Sequence, residues 1–414
     1  MTITAVRGFN DILPDEAELW RWLEGTAARV FSSYGYSEIR VPVVEKTGLF
    51  QRSIGETTDI VEKEMYSFPD RAGDSLTLRP EGTASVARAY IEHKLYQRPV
   101  QKLFYMGPMF RYERPQKGRY RQFYQIGAEV LGDLSPLSDA ETIEMLMVFF
   151  NSVGLKDYGL EINSLGCPEC RPGYKKTLLD FLAALKPSLC ANCSGRMEKN
   201  PLRSLDCKNP GCMEATKDAP LLSGFLCAQC ASHFEKVRQR LAALGVEATV
   251  NPRIVRGLDY YTKTAFEVVA RGLGSQNAVA AGGRYDGLVK DLGGPETPCF
   301  GFAIGLERLA LCVKDAKFKH APVIAFIPLG GPATEKGAGL LRELRQRGLK
   351  VVEDFSEAGL KGRMKAAHRA GARYALILGD DELRDGVITL KDMASGEQEK
   401  TGLADIADKL LLRV

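Results

Sequence analysis

The sequence predicts an α+β protein: an antiparallel β-sheet flanked by helices, interrupted by a mainly helical Cys-rich insertion and followed by a smaller α/β domain. Three observations carry this reading. Two pairs of runs rich in aromatic and branched residues, 101–113 with 121–132 and 265–270 with 278–285, lie close enough in sequence to pair as hairpins, which makes an antiparallel sheet. Eight of the ten cysteines fall between Cys167 and Cys230, in a helix-leaning segment. From about residue 320, short apolar runs alternate with helical patterns, as in a small α/β unit. The expected boundaries are 1–164 with 246–319 for the main body, 165–245 for the insertion and 320–414 for the last domain. A length of 414 residues suits two or three domains.

The elements follow in order. A first helix is predicted over 15–31, because Leu19, Trp20, Leu23, Ala27, Val30 and Phe31 recur on one face. Pro14 sits where a helix start tolerates proline, and Tyr34-Gly35-Tyr36 ends the run. Residues 39–44 read as a strand. Pro42 inside it argues for an edge or interface, since proline cannot donate to a ladder. The hairpin 101–132 has a long basic loop: Arg111, Arg114, Lys117, Arg119 and Arg121 stand against Glu113, leaving +4. A helix over 178–185 separates the first two cysteine pairs. The second strand pair precedes a strand that runs into a helix over 299–309. No GxGxxG or phosphate loop sits in a strand–helix context, which excludes a dinucleotide-binding fold. Near the end, strands are predicted at 323–328, 351–353, 374–378 and 387–390, with helices over 335–347 and 360–370. Residues 314–373 carry 13 basic and 6 acidic residues, an excess that suits phosphate contact or a solvated helix face. The remaining tail runs −4.

Composition narrows the class. Lys and Arg total 56 against 52 Asp and Glu, and 45% of residues are hydrophobic, which excludes a disordered chain. The longest apolar runs, such as 145–150, fall far short of the roughly 20 residues of a membrane span. The start of the chain has no signal-like apolar core. A soluble, cytoplasmic protein with no membrane partner is expected. In that compartment Cys167-x2-Cys170, Cys190-x2-Cys193, Cys207-x4-Cys212 and Cys227-x2-Cys230 read as metal half-sites before they read as disulfides. Four half-sites could build two tetrahedral zinc sites of four thiolates each. The alternative is a set of reduced, partly buried thiols, and the pairing stays open. Cys299 and Cys312 lie outside the cluster and read as packing residues.

Several arginines stand in otherwise apolar surroundings: Arg79 after Leu78, Arg111 after Met109-Phe110, Arg256 after Ile254-Val255, and Arg308 in Gly305-Leu306-Glu307-Arg308. A charge there is costly unless paired. A guanidinium fork matches phosphate or carboxylate, so several aimed at one cleft would suit a polyphosphate. Singly, each reads first as half of a buried ion pair with a nearby glutamate. Together with Arg7-Gly8-Phe9-Asn10-Asp11, the stretch 34–56 around Pro42, the stretch 110–127 and the stretch 301–308, these residues resemble the histidyl-tRNA synthetase family of class II aminoacyl-tRNA synthetases. The resemblance covers nearly the whole chain. Arg256-Gly257-Leu258-Asp259-Tyr260-Tyr261 and Ala281-Gly282-Gly283-Arg284-Tyr285-Asp286 are diagnostic of the histidine enzyme within that class.

The resemblance implies a class II antiparallel sheet, a C-terminal anticodon-binding domain and a homodimer joined through 34–56. It implies ATP with Mg²⁺, L-histidine and tRNA-His as partners. Arg111 would hold the ATP α-phosphate, Arg256 would grip it from the other side, and Arg308 would meet the γ-phosphate. Glu113 would place the nucleotide and Phe123 would stack on adenine. Glu81, Gly82, Thr83 and Gln125 would hold the α-amino and carboxylate groups. Glu129 and Tyr261 would bond the imidazole nitrogens, with Tyr260 lining the site. Gly282 and Gly283 would let the backbone approach the ring, unless they form a plain hairpin turn. In the basic loop, Arg114 and Gln116 would read the terminal base pair, with Lys117 and Arg119 on phosphates. The family's activity does not generally depend on zinc, so the cysteines gain no support from the resemblance. One rival is a non-catalytic regulatory subunit of ATP phosphoribosyltransferase, which resembles the same catalytic domain. It characteristically lacks the anticodon domain and has an eroded site, whereas Arg111, Arg256 and Arg308 are all present here.

Overall fold

The computed structural model describes every residue except 1, 56, 57, 59, 199, 256–259, 272, 274–276, 314–317, 357 and 414. Helix α1 (Pro14–Ser33) starts at the proline and buries all six predicted apolar residues. There follow β1 (Ser37–Glu38), β2 (Val44–Lys46), α2 (Thr47–Ile54), β3 (Tyr66–Pro69), β4 (Ser75–Leu78) and α3 (Thr83–Glu92). The strand expected over 39–44 does not form as one piece. Arg79 donates to the carbonyls of Val41 (2.8 Å) and Pro42 (3.4 Å), occupying acceptors that a ladder would have used. Strands β2, β4 and β3 make a small antiparallel sheet in that order.

The basic hairpin is β5 (Gln101–Phe110) and β6 (Gln122–Leu131), paired in one unbroken register from Gln101–Leu131 to Phe110–Gln122. Helix α4 (Pro136–Ser152) and β7 (Tyr158–Ser164) lead into the insertion, with α5 (Arg171–Ala184), α6 (Ala191–Arg196), α7 (Pro210–Ala215) and α8 (Ala228–Ala243). Then come β8 (Thr249–Val250), β9 (Thr262–Ala270), β10 (Ala278–Arg284), α9 (Leu288–Asp291), β11 (Cys299–Gly305) and α10 (Leu306–Val313). These strands form an eight-stranded sheet in the order β1-β5-β6-β11-β10-β9-β7-β8. It is antiparallel from β5 to β7, and its two short edge strands are parallel to their neighbours.

Period two divides this sheet into two faces. Phe104, Ile126, Ala128, Val130, Phe266 and Phe302 join α1, α4 and α10 in the largest apolar core. Leu103, Tyr105 and Leu131 belong to a second core that includes Tyr174 and Leu178 of the insertion. A buried charge cluster ties elements together across the first. Arg284 of β10 pairs with Asp139 of α4, both fully buried, and His233 Nε2 of α8 lies 2.8 Å from the same carboxylate.

The chain divides into two compact units, 1–318 and 319–414. The second holds β12 (Val323–Pro328), α11 (Gly331–Gln346), β13 (Lys350–Glu353), α12 (Leu360–Arg369), β14 (Ala372–Leu378), α13 (Asp380–Asp385), β15 (Val387–Asp392), β16 (Gln398–Gly402) and α14 (Ile406–Leu411). Its sheet order is β13-β12-β14-β15-β16. Strands β13, β12 and β14 are parallel, whereas β14, β15 and β16 are antiparallel. Strand β16 is absent from the sequence reading because its residues are mostly polar, as an edge strand's can be. Among the described residues no helix is long and apolar enough to cross a membrane.

Candidate active site and cysteine clusters

Alternation along β6 puts Phe123, Gln125, Gly127 and Glu129 on the face opposite the main core. This face lines a cleft of about 400 Å³, which also receives Glu81, Thr83, Arg111, Tyr261 and Arg308. The cleft has a charged end and a closed polar end.

Arg111, Arg119 and Arg308 line the charged end with Glu113 and Glu307. Arg111 Nε donates to Pro80 O (2.8 Å), and its guanidinium carbon stands 5.2 Å from the Phe123 ring centre. Arg308 donates to Ala278 O (2.8 Å) and Gly118 O (3.3 Å). Burial pushes all three guanidinium pKa values down, the Arg111 charge lowers that of Arg308 further, and both lower that of Arg119. Crowded, partly desolvated cations have much to gain from an arriving polyanion. Glu113 pairs with Arg119, and its other oxygen lies 3.9 Å from Arg111. Glu307 accepts from Tyr124 N (2.9 Å), and burial lifts its pKa to about 7. Both carboxylates are hard oxygen donors of the kind Mg²⁺ takes.

The polar end is built around Glu129, which is fully buried. Its carboxyl accepts from Thr83 Oγ1 (2.7 Å) and from Tyr285 Oη. Burial raises its pKa to about 8. A Cβ at Gly301, directly across on β11, would overlap Glu129 Oε2, so only glycine admits this carboxyl. Glu81 accepts the first N–H groups of α3, from Thr83 (2.7 Å) and Ala84 (2.8 Å), and burial raises its pKa despite them. Gly82 lies against the Tyr105 ring, which a Cβ would strike. Gln125 Oε1 is buried with no hydrogen-bond partner among the described residues. A buried orphan acceptor at the wall of a cleft suits a ligand N–H. Tyr260 and Tyr261, 4.8 Å apart at their ring centres, close the wall.

A family model described as "Histidyl-tRNA synthetase" matches residues 8–169 and 197–309, and one described as "Anticodon binding domain" matches 324–413. The chain belongs to the histidyl-tRNA synthetase family. It is 54% identical to the histidine–tRNA ligase of Syntrophotalea carbinolica, over 99% of both chains, and 55% identical to that of Geobacter sulfurreducens, over 97% of both. Among solved structures it is similar to the apo histidyl-tRNA synthetase of S. aureus, with 36% identity, a TM-score of 0.80 and 99% of each chain covered. The fold is therefore that of this class II synthetase family.

Within the synthetase frame, the predicted residues distribute unevenly. Glu81, Thr83, Arg111, Glu113, Phe123, Gln125, Tyr260, Tyr261 and Arg308 share the cleft, and Glu129 lies beneath it. Arg256 lies outside the described residues. Arg79 stays out of the cleft and is spent on the carbonyls of Val41 and Pro108 rather than on a glutamate. Gly282 and Gly283 form no turn. They sit inside β10 opposite Phe302 and Gly301, where a Cβ would strike the neighbouring strands, so they serve sheet packing. Arg114, Gln116 and Lys117 are exposed at the loop tip, while Arg119 turns back into the cleft beside Glu113. Sequence reasoning gave no role to Glu307, Tyr285 or Gly301, although all three stand inside the motif stretches 301–308 and 281–286, and that membership was their available signal.

The synthetase's cysteines gather into two groups of four, Cys167, Cys170, Cys227 and Cys230, and Cys190, Cys193, Cys207 and Cys212. In each, all four sulfurs lie within 4.8 Å of one another, and all ten cysteines are unbridged. Thiolates about 2.3 Å from one tetrahedral zinc stand about 3.8 Å apart. The Sγ separations here include 3.5 Å for Cys167–Cys170, 4.0 Å for Cys167–Cys227 and 3.9 Å for Cys190–Cys207. Backbone N–H groups also aim at sulfur: Cys227 N at Cys170 Sγ (3.2 Å) and Cys190 N at Cys212 Sγ (3.1 Å). Such donors favour thiolate over thiol, and here they work against burial, which pushes the Cys170 and Cys212 thiols up. Both clusters could hold a metal ion. The stretch 170–196 falls between the two matched parts of the family model.

Proposed function

We propose that this chain is a histidine–tRNA ligase. It activates L-histidine with ATP, forming histidyl-adenylate and pyrophosphate, and then transfers histidine to the 3′ end of tRNA-His. The observation that carries this reading is one cleft with arginines at one end and a buried, hydrogen-bonding pocket at the other, in a chain 54% identical to a histidine–tRNA ligase along its full length.

In the first step the histidine carboxylate oxygen attacks the ATP α-phosphorus, and the bond from that phosphorus to the bridging β-oxygen breaks. Arg111 and Arg256 steady the α-phosphate as charge builds, and Arg308 meets the γ-phosphate. Cations fixed in advance where charge develops are commonly a large catalytic term. Phe123 offers a face for adenine, and Glu113 places the nucleotide. Glu81, Thr83 and Gln125 hold the α-amino and carboxylate groups, while Glu129 and Tyr261 meet the imidazole nitrogens. A pocket that pairs both nitrogens rejects analogues lacking them, because its own polar groups would be left unpaired. The family uses Mg²⁺ with ATP. Glu307 and Glu113 would hold it, and bound Mg²⁺ neutralises the pyrophosphate leaving group.

In the second step the terminal ribose hydroxyl of tRNA attacks the adenylate carbonyl and AMP leaves. Arg114 and Gln116 reach the acceptor end, with Lys117 on phosphate. Arg119 is reassigned to the nucleotide end of the cleft. The 319–414 unit reads the anticodon, whose splayed bases can be recognised singly. Residues 34–56 join two copies as a homodimer, in keeping with the exposed Val43 and Val44, and the enzyme works in the cytoplasm. Each cysteine cluster holds a structural zinc ion.

The test is histidine-dependent exchange of pyrophosphate into ATP. Exchange that requires histidine is the expected result, and its absence with folded protein would overturn the reading.

A further inference from the structure

The two cysteine clusters stand at different places in the fold. One joins the ends of the insertion: Cys167 and Cys170 precede α5, and Cys227 and Cys230 open α8, about 60 residues later in the chain. The other lies deeper in the insertion: Cys190 and Cys193 are at the start of and within α6, Cys207 follows it, and Cys212 is in α7. The residues that flank the root cluster are hydrogen-bonded to the segment 261–263, which carries Tyr261 of the amino-acid pocket. Leu165 N donates to Lys263 O (2.6 Å), and Lys263 N donates to Gly166 O (2.8 Å). Arg171, the residue after Cys170 and the first of α5, donates from Nε to Leu165 O (3.3 Å) and from its terminal nitrogen to the carbonyl of Tyr261. Gly166 packs so closely on Cys170 that a Cβ there would stand 2.7 Å from the Cys170 Cβ. Tyr261 is thus fixed by its own backbone to residues that flank the root thiolates. The inner cluster meets the body elsewhere, where Arg253 donates to Thr216 O (2.7 Å), four residues past Cys212.

We infer that the metal site of Cys167, Cys170, Cys227 and Cys230 positions the histidine pocket through Arg171 and the Tyr261 carbonyl, whereas the inner site only folds the insertion. This rests on the zinc reading and on the synthetase reading of the cleft. The metal joins two segments remote in sequence, and so fixes the start of α5 from which Arg171 reaches back. A ligand set that closes a long loop restrains the groups built on it. Arg171 is a positioning residue, since it holds the Tyr261 carbonyl and does not line the cleft.

The test combines zinc content with histidine and ATP KM values in pyrophosphate exchange. The unaltered enzyme should carry two zinc ions per chain. Arg171→Ala should keep both and raise the histidine KM about tenfold, with the ATP KM unchanged. Cys227→Ala should lose one zinc and raise the histidine KM to a similar degree. Cys207→Ala should lose one zinc and leave that KM within about twofold. If Cys227→Ala does not fold, the Arg171→Ala result decides alone. An unchanged histidine KM in Arg171→Ala, or equal rises in Cys207→Ala and Cys227→Ala, overturns the inference and leaves the synthetase intact. Unaltered enzyme free of zinc yet active in exchange overturns the zinc reading and this inference with it. Absence of exchange in the unaltered enzyme overturns the function itself.

Discussion

Glu129 is fully buried between Thr83 Oγ1 and Tyr285 Oη, and burial lifts its pKa from 4.5 to about 8. It is therefore mostly neutral at pH 7. Between pH 4.5 and 8 the folded chain keeps a proton that the unfolded chain has lost. Stability from this group is full below the lower value and falls as pH rises through the upper one. Glu129→Gln, which carries no such proton, should gain Tm over the unaltered protein at pH 8.5 by roughly 3 °C more than at pH 5. Calorimetry at both pH values checks this, and an equal difference at both would show that ionisation of Glu129 plays no part. The same scale explains a misreading. Arg79 and Arg111 each follow apolar residues, and nothing local separates them. Arg79 meets backbone carbonyls of 41 and 108, whereas Arg111 faces the cleft. That difference lies in what stands opposite, which a linear pattern does not contain.

The β5–β6 hairpin and its loop were legible because strand composition and turn chemistry are local. The direction of each loop side chain was not. Gln116 and Arg119 pair backbone to backbone (3.0 and 2.9 Å), and Gly118 between them has φ +72°, with Arg308 and Leu311 side chains 3.3 Å from where a Cβ would be. This tight turn sends Arg119 inward to Glu113 and leaves Gln116 and Lys117 exposed. Arg119→Ala should therefore cut pyrophosphate exchange by about tenfold or more. Gln116→Ala should spare exchange and lower tRNA charging by a similar factor. Parallel assays of both reactions separate the two, and an Arg119→Ala variant that spares exchange but loses charging would return Arg119 to the tRNA side.

For the molecule as a whole, the near-neutral charge of +4 averages unlike parts: a basic hairpin loop, a basic stretch over 314–373 and an acidic tail. The unit 319–414 has its own core, with Ile324, Phe326, Leu344 and Leu376 buried together. A chain ending at Phe318 should keep histidine-dependent exchange and lose tRNA charging by about 10²-fold or more, since one of two linked RNA contacts is gone. Charging at the full rate would remove the C-terminal unit from tRNA recognition. The sequence by itself determined the antiparallel class, the helix α1 face, the cysteine half-sites and the family, because periodicity, spacing and motif order are properties of neighbours along a chain. Only the tertiary structure decided which cysteines share a site, which arginines reach the cleft, and that Glu129 is held neutral beneath it. Those outcomes depend on burial and on partners remote in sequence, and burial sets both the cost of a charge and the value of its partner.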